Sequence, residues 1–135
     1  MIQLTNNFNK IEFESKDGSE MPNWVLVNIK ELAKDLQVIR DYIKTPIHIN
    51  SAYRSPSHNN SVGGKTNSYH IKGMAADITV KGYTPRKLYS VVRKLRKQGK
   101  IGVNGIGLYN GFLHVDIREQ NRLSLWDNSS WYNFW

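Results

Sequence analysis

Residues 105–119, GIGLYNGFLHVDIRE, hold the alternation on which the fold turns. Gly105 to Tyr109 and Phe112 to Ile117 are short runs of strand-forming residues joined by Asn110-Gly111, a dipeptide that readily adopts the positive backbone angles of a tight hairpin turn. Side chains on a strand change face at every step. His114, Asp116 and Arg118 therefore share one face of the second strand, and Leu113, Val115 and Ile117 share the other. A sheet with one wet, polar face and one apolar face is expected here.

Upstream, Ala75 to Val80 reads as a buried strand, and Ile47-His48-Ile49-Asn50 alternates as another, with the isoleucines inward and His48 outward. Val25, Leu26, Ile29, Leu32, Ala33, Leu36, Ile39 and Ile43 recur at steps of three and four, which predicts a core helix over 23–43 that Thr45-Pro46 stops. Thr84-Pro85 opens a second helix that runs to about Gln98 before Gly99. Phe8, Ile11 and Phe13 form a short apolar cluster, and Ser15 to Glu20 reads as a turn. Residues 54–69, RSPSHNNSVGGKTNSY, form a long ordered loop, of a length that is usually functional inside a compact domain. Helix, strand, loop, strand, helix and hairpin make an α+β order, with one antiparallel sheet under helices.

A chain of 135 residues is expected to be one domain over 1–135. It lacks any apolar run of about 18 residues, and its start, MIQLTNNFNK, lacks the basic-then-apolar pattern of a secretory signal. Neither a membrane span nor signal-directed export is therefore expected. Without cysteine there is no disulfide framework, and any bound metal must use histidine and carboxylate ligands. Nineteen Lys and Arg against eleven Asp and Glu give a net charge of +8, which favours polyanionic neighbours: nucleic acid, anionic lipid or an acidic wall polymer. A solvated basic surface explains the same charge.

The stretch NSYHIKGMAADITV, residues 67–80, sets His70 and Asp77 seven positions apart, with Gly73 and two alanines between them. If the strand of Asp77 neighbours the hairpin, Asp77 meets His114, and the preceding loop brings His70. Two imidazole nitrogens and one carboxylate oxygen with a fourth position open are the ligand set of a hydrolytic zinc site, whereas calcium and magnesium prefer oxygen shells. The small residues then let the backbone pass close to the ion. By spacing alone this signal is weak, and satisfied structural histidines are the commoner reading.

SAYRSPSHNNSVGGKTNSYHIKGMAADI, followed by GFLHVDIRE, resembles the zinc D-alanyl-D-alanine carboxypeptidase family, the peptidoglycan peptidases of bacteria and phage lysins. With LQVIRDYIKTPIHINSAYRSP, similar to the phage-type branch, the likeness covers nearly the whole chain. The resemblance implies an α+β fold with a small central antiparallel sheet and helices packed on it, similar to the D-Ala-D-Ala carboxypeptidase and hedgehog signalling domains. It implies one Zn2+ ion held by His70, Asp77 and His114, with Arg54 beside it to steady the substrate or the charge on the attacked carbonyl, and Ser68 as a substrate-binding or supporting group. Family members carry a glutamate three residues before the last ligand or a histidine two before it, but this chain has Gly111 and Phe112 there. Asp116 is the nearest candidate for the general base, and orienting a ligand or pairing with Arg118 is its other reading.

The implied activity is zinc-dependent hydrolysis of peptide bonds in peptidoglycan stem peptides, as a carboxypeptidase or an endopeptidase. The implied setting is synthesis in the bacterial cytoplasm, from a phage or bacterial gene, and action on the wall after release. A monomer is expected, with the peptidoglycan peptide as substrate and an anionic wall polymer as a second partner. The alternative is a catalytically inactive, zinc-holding wall-binding module. In Lys81 to Lys100 the apolar stripe Leu88, Val91, Val92 and Leu95 leaves Arg86, Lys87, Arg93, Lys94, Arg96 and Lys97 mostly outward. No recognised nucleic-acid module accompanies that basic face, so nucleic acid is not expected as a partner. His58 reads as a surface loop histidine. Trp126, Trp131, Tyr132, Phe134 and Trp135 read as the seal of a core edge or a sugar-stacking platform.

Overall fold

A computed structural model describes residues 2–129. The chain opens with β1 (Gln3–Thr5), β2 (Phe8–Asn9) and a 3-10 turn over Lys10–Phe13, followed by helix α1 (Asn23–Ile43). Then come β3 (Ile47–Ser51), α2 (Pro56–Ser61), β4 (Ala75–Val80), α3 (Pro85–Lys97), β5 (Gly105–Leu108), β6 (Leu113–Asp116) and β7 (Ser124–Asp127). Among the described residues, no helix is long and apolar enough to cross a membrane. Trp131, Tyr132, Phe134 and Trp135 lie outside the described residues.

Helix α1 follows its apolar period: Val25, Ile29, Leu32, Ala33, Leu36, Ile39 and Ile43 are the buried face. Each large aliphatic buried there contributes about 1.5–3 kcal/mol of transfer free energy, so packing outweighs the small propensity differences along the helix. The helix stops where Lys44 turns left-handed, at φ 54°, and hydrogen-bonds back to Arg40 O. Helix α3 starts where Thr84 Oγ1 accepts the Lys87 N–H and Pro85 fills the first turn. It buries Leu88, Val92 and Leu95.

The five-stranded sheet has the order β3-β4-β6-β5-β7. Its first four strands pair antiparallel, as expected, but β7 pairs parallel with β5. Because β6 runs opposite to β5, a chain that leaves β6 and crosses back to the start of β5 must lie parallel to it. Asn104 fixes that crossing: its side-chain amide donates to Arg118 O and Gln120 O, and its carbonyl accepts the Ser124 N–H at 2.8 Å.

One sheet face presents Ala76, Ile78, Val80, Ile106, Leu108, Leu113 and Val115 to the core shared with α1 and α3. The other presents Asp77, Gly107, His114, Asp116 and Trp126. That second face is polar but not wet, since His114 is 9% and Asp116 0% exposed. On it lie Trp126 against His114, Arg118 on Asp116 and, from the segment before β4, His70 against His114 and Tyr69 against Arg118. This segment is not loop throughout, because Ser55 caps a short helix, α2, by accepting the His58 N–H. Of the amino-terminal apolar cluster, Phe8 and Phe13 are buried and stack edge to face, whereas Ile11 is 60% exposed. The 3-10 turn accounts for this difference: residues i and i+3 share its face, so Ile11 falls off the face of Phe13.

Candidate metal centre and cleft

The β4–β6 register sets Asp77 opposite His114, and β5 then sets Gly107 opposite His114. Asp77 Oδ1 lies 3.1 Å from His114 Nδ1 and 3.3 Å from His70 Nε2. One donor atom from each of the three residues falls within 4.8 Å of the others. His70 comes from the turn before β4. Ser68 Oγ accepts the His70 N–H at 3.2 Å, and His70 O accepts the N–H groups of Arg54 and Gly73.

The outer nitrogens define the chemistry. His70 Nδ1 is 2.7 Å from Ala52 O, and a carbonyl only accepts, so Nδ1 carries the proton and a neutral ring turns its Nε2 lone pair toward Asp77. His114 stands between two carboxylates, with Nε2 2.8 Å from Asp116 Oδ2 and Nδ1 facing Asp77. Three acceptors thus converge on one point. Such a cluster is stable only with a cation between its atoms, either a proton or a metal ion. Burial opposes the charge on Asp77, but the hydrogen bonds and positive charge that the His114 and His70 rings offer it when protonated outweigh burial and hold the carboxyl well below the usual carboxylate range. Burial likewise pushes the His114 pKa down, and its bonds to Asp116 and Asp77 more than reverse this and raise it. Two nitrogens and one carboxylate oxygen, with each imidazole oriented by a partner on its far side, fit a zinc ion.

Asp116 is behind His114 and does not line the cleft. Its Oδ1 accepts from Arg118 Nε and its Oδ2 from Arg118 Nη2, both at 2.8 Å. Burial pushes its pKa up, but the hydrogen bonds from Arg118 and His114 prevail and bring it down to about 2. Gly105 stands opposite it, and any side chain there would collide with the Asp116 carboxylate.

Arg54 flanks the cluster on the β3 side. Its Nε donates to Ser51 Oγ at 3.1 Å, Nη1 to Asn59 Oδ1 at 3.3 Å and Nη2 to Asp77 Oδ2 at 3.3 Å. Asn59 is 2% exposed, and its other amide edge donates to Lys65 O. Nothing in the run HNNS distinguishes Asn59 as the residue that aims Arg54. The adjacent glycines were the available signal, since a side chain at Gly64 would strike the Asn59 amide.

A cleft of about 820 Å³ opens over the cluster. Arg54, Ser68, His70, Asp77 and His114 reach it, and Tyr69, Tyr109, Phe112 and Trp126 supply aromatic walls. Trp126 leans on His114 with ring centres 5.1 Å apart and donates its indole N–H to Tyr109 Oη at 3.0 Å. Gly107 makes this possible, because any side chain there would occupy the indole's place. His48 is exposed on β3, and His58 is not part of the cleft. Gly73 serves the fold rather than the approach to an ion. It sits at φ 71°, and a Cβ there would lie 2.6 Å from Val25 Cγ1 on α1. Ala76 points into the core, away from the cluster.

A family profile described as Peptidase M15 matches residues 4–116, a span that includes all three clustered residues and Arg54. A search of curated proteins finds none that matches. Among solved structures, the crystal structure of the Serratia marcescens L-Ala D-Glu endopeptidase ChiX is similar, at 15% identity and a TM-score of 0.49. The alignment covers 82% of this chain and 94% of that one.

Proposed function

This chain belongs to the M15 peptidase family, and from that premise we propose that it is a zinc-dependent peptidase that hydrolyses stem peptides of peptidoglycan. The observation that carries this reading is the convergence of His70 Nε2, Asp77 Oδ1 and His114 Nδ1, with the outer nitrogens engaged by Ala52 O and Asp116. These three residues would hold the ion. When bound, zinc supplies Lewis acidity, which polarises a peptide carbonyl and lets water ionise near neutral pH.

The chain's own groups do the rest. Arg54 is held by Ser51, Asn59 and Asp77 beside the cluster, where a fixed guanidinium offsets negative charge developing on the attacked oxygen, an effect of about 3–4 kcal/mol for a well-placed donor. Ser68 holds the turn that presents His70. Asp116 acts as the partner of His114 Nε2, which keeps the ring oriented and its Nδ1 directed at the ion. With no exposure and both oxygens engaged, it is poorly suited to take a proton from water. The aromatic walls exclude solvent from one side of the cleft.

Asp77 is the one carboxylate that lines the cleft among the described residues. This favours a second reading, a zinc-holding module that binds wall peptides without cutting them. Incubating the purified protein with synthetic stem peptides, with a chelator and then with added zinc, separates the two. Cleavage that disappears with the chelator and returns with zinc is expected, together with one zinc per chain by elemental analysis and loss of that zinc in His70→Ala. Peptide binding without turnover selects the module, and turnover indifferent to the chelator rules out zinc dependence.

A further inference from the structure

The cleft is lined by three cationic side chains, Arg54, Lys65 and Arg118, and by one carboxylate, Asp77, already paired with Arg54. Arg118 stands on the β7 side of the cluster, across from Arg54, and its pairing with Asp116 leaves part of it unused. Two of its five N–H donors are spent on Asp116, which leaves three, and none of these has a hydrogen-bond partner among the described residues. Its guanidinium lies over two aromatic rings, 4.5 Å from the Tyr69 ring centre and 5.3 Å from that of Trp126. The side chain is 18% exposed, and that exposure opens into the cleft. A residue needed only to brace Asp116 has no use for an open edge.

Building on the peptidase reading, we propose that Arg118 anchors a carboxylate of the substrate beside the bond to be cut. The guanidinium is held on one edge by Asp116 and packs against two aromatic rings, so little freedom is lost when its open edge meets an anion. Two parallel N–H donors at fixed spacing match the two oxygens of a carboxylate and not the single oxygen of an amide. Lys65, exposed on the rim, adds positive field without that geometry. The carboxylate has two possible sources in a stem peptide, the free α-carboxyl of a γ-linked D-glutamate or the chain terminus.

The test uses two pairs of synthetic stem peptides with the zinc-loaded protein. In one pair the D-glutamate α-carboxyl is free or amidated, and in the other the C-terminal carboxyl is free or amidated. The quantity read is the ratio of kcat/KM for acid over amide. Wild type is expected to prefer the acid by about tenfold or more in one pair, which identifies the source. Arg118→Gln brings that ratio to near unity, Arg118→Lys restores only part of it, and Lys65→Met leaves most of it in place. Any loss caused by a loosened Asp116 and His114 lowers both members of a pair alike and cancels in the ratio. The proposal is overturned if wild type shows no preference in either pair, or if the preference survives Arg118→Gln. Should no peptide be cut, the peptidase reading fails, and the same ratio taken from calorimetric Kd values for the intact peptides decides the anchor by the same criteria.

Discussion

His114 has an acceptor at each end, Asp77 Oδ1 at 3.1 Å and Asp116 Oδ2 at 2.8 Å, while a neutral imidazole has one N–H to give. Without a metal, the ring satisfies both carboxylates by staying protonated, which is why its pKa is raised despite burial. A divalent ion at the cluster needs the Nδ1 lone pair and must displace that proton. Zinc affinity is therefore expected to be flat above the raised pKa and to fall below it, approaching tenfold per pH unit for one displaced proton. Asp116→Asn keeps an oxygen for Nε2–H but removes a charge. The His114 pKa then moves down, the onset of the loss moves to lower pH, and affinity above the onset drops by about 10–100-fold. Zinc competition between about pH 5 and 8, alongside an NMR titration of the His114 ring in the metal-free protein, checks both. An affinity that does not change with pH in that window would exclude the bridging role.

The turn that carries His70 into place depends on α1. Gly73 closes it at φ 71°, where a β-carbon is strained, and the room for one is taken by Val25 Cγ1 at 2.6 Å and Val25 O at 3.0 Å. Gly73→Ala is expected to lower unfolding free energy by about 2–4 kcal/mol, the left-handed penalty plus overpacking. It should also weaken zinc binding, since His70 O accepts the Gly73 N–H and shifts with the turn. Urea unfolding with and without zinc checks this, and an unaltered midpoint would mean the turn moves independently of α1. Helix α1 was legible in the sequence because its burial repeats at the helical period, and β4 because a short run of small and apolar residues, buried almost throughout, follows a turn-rich stretch. Helix α2 was not, because PSHNNS has no apolar period and forms on a local cap, Ser55 Oγ to His58 N–H. The roles of Gly73 and Asn59 were hidden for a related reason: each is set by a contact with a residue far along the chain or by a single backbone angle. The pairing of His114 with Asp77 was visible through alternation and the hairpin turn, while Arg54 was singled out only by family resemblance.

At the scale of the molecule, parallel β7 escaped the sequence because no tight turn announces a crossing strand, and the contacts that hold it come from Asn104, in a loop without pattern. The same loop hides a cost. Asp35, on α1, accepts the Gly102 N–H at 2.9 Å and so ties α1 to the entry of β5. Burial pushes its pKa up to about 6, with the Gly102 bond pulling the other way and Glu31 adding to the rise. Since the folded value lies above the ordinary aspartate value of 3.8, the folded state binds the extra proton, and stability from this group is fully present below about pH 4 and is lost as pH rises through 6. At neutral pH the ionised carboxylate therefore opposes folding. Asp35→Asn retains an oxygen for the Gly102 N–H and cannot ionise. It should raise stability at pH 7 by an amount on the order of 1 kcal/mol, with the advantage shrinking toward zero by about pH 4. Thermal unfolding of both proteins at pH 4, 5, 6 and 7 measures the difference. A variant that is less stable at pH 7 by as much as at pH 4 would show that the Gly102 bond, and not the buried charge, governs how α1 and the sheet are joined.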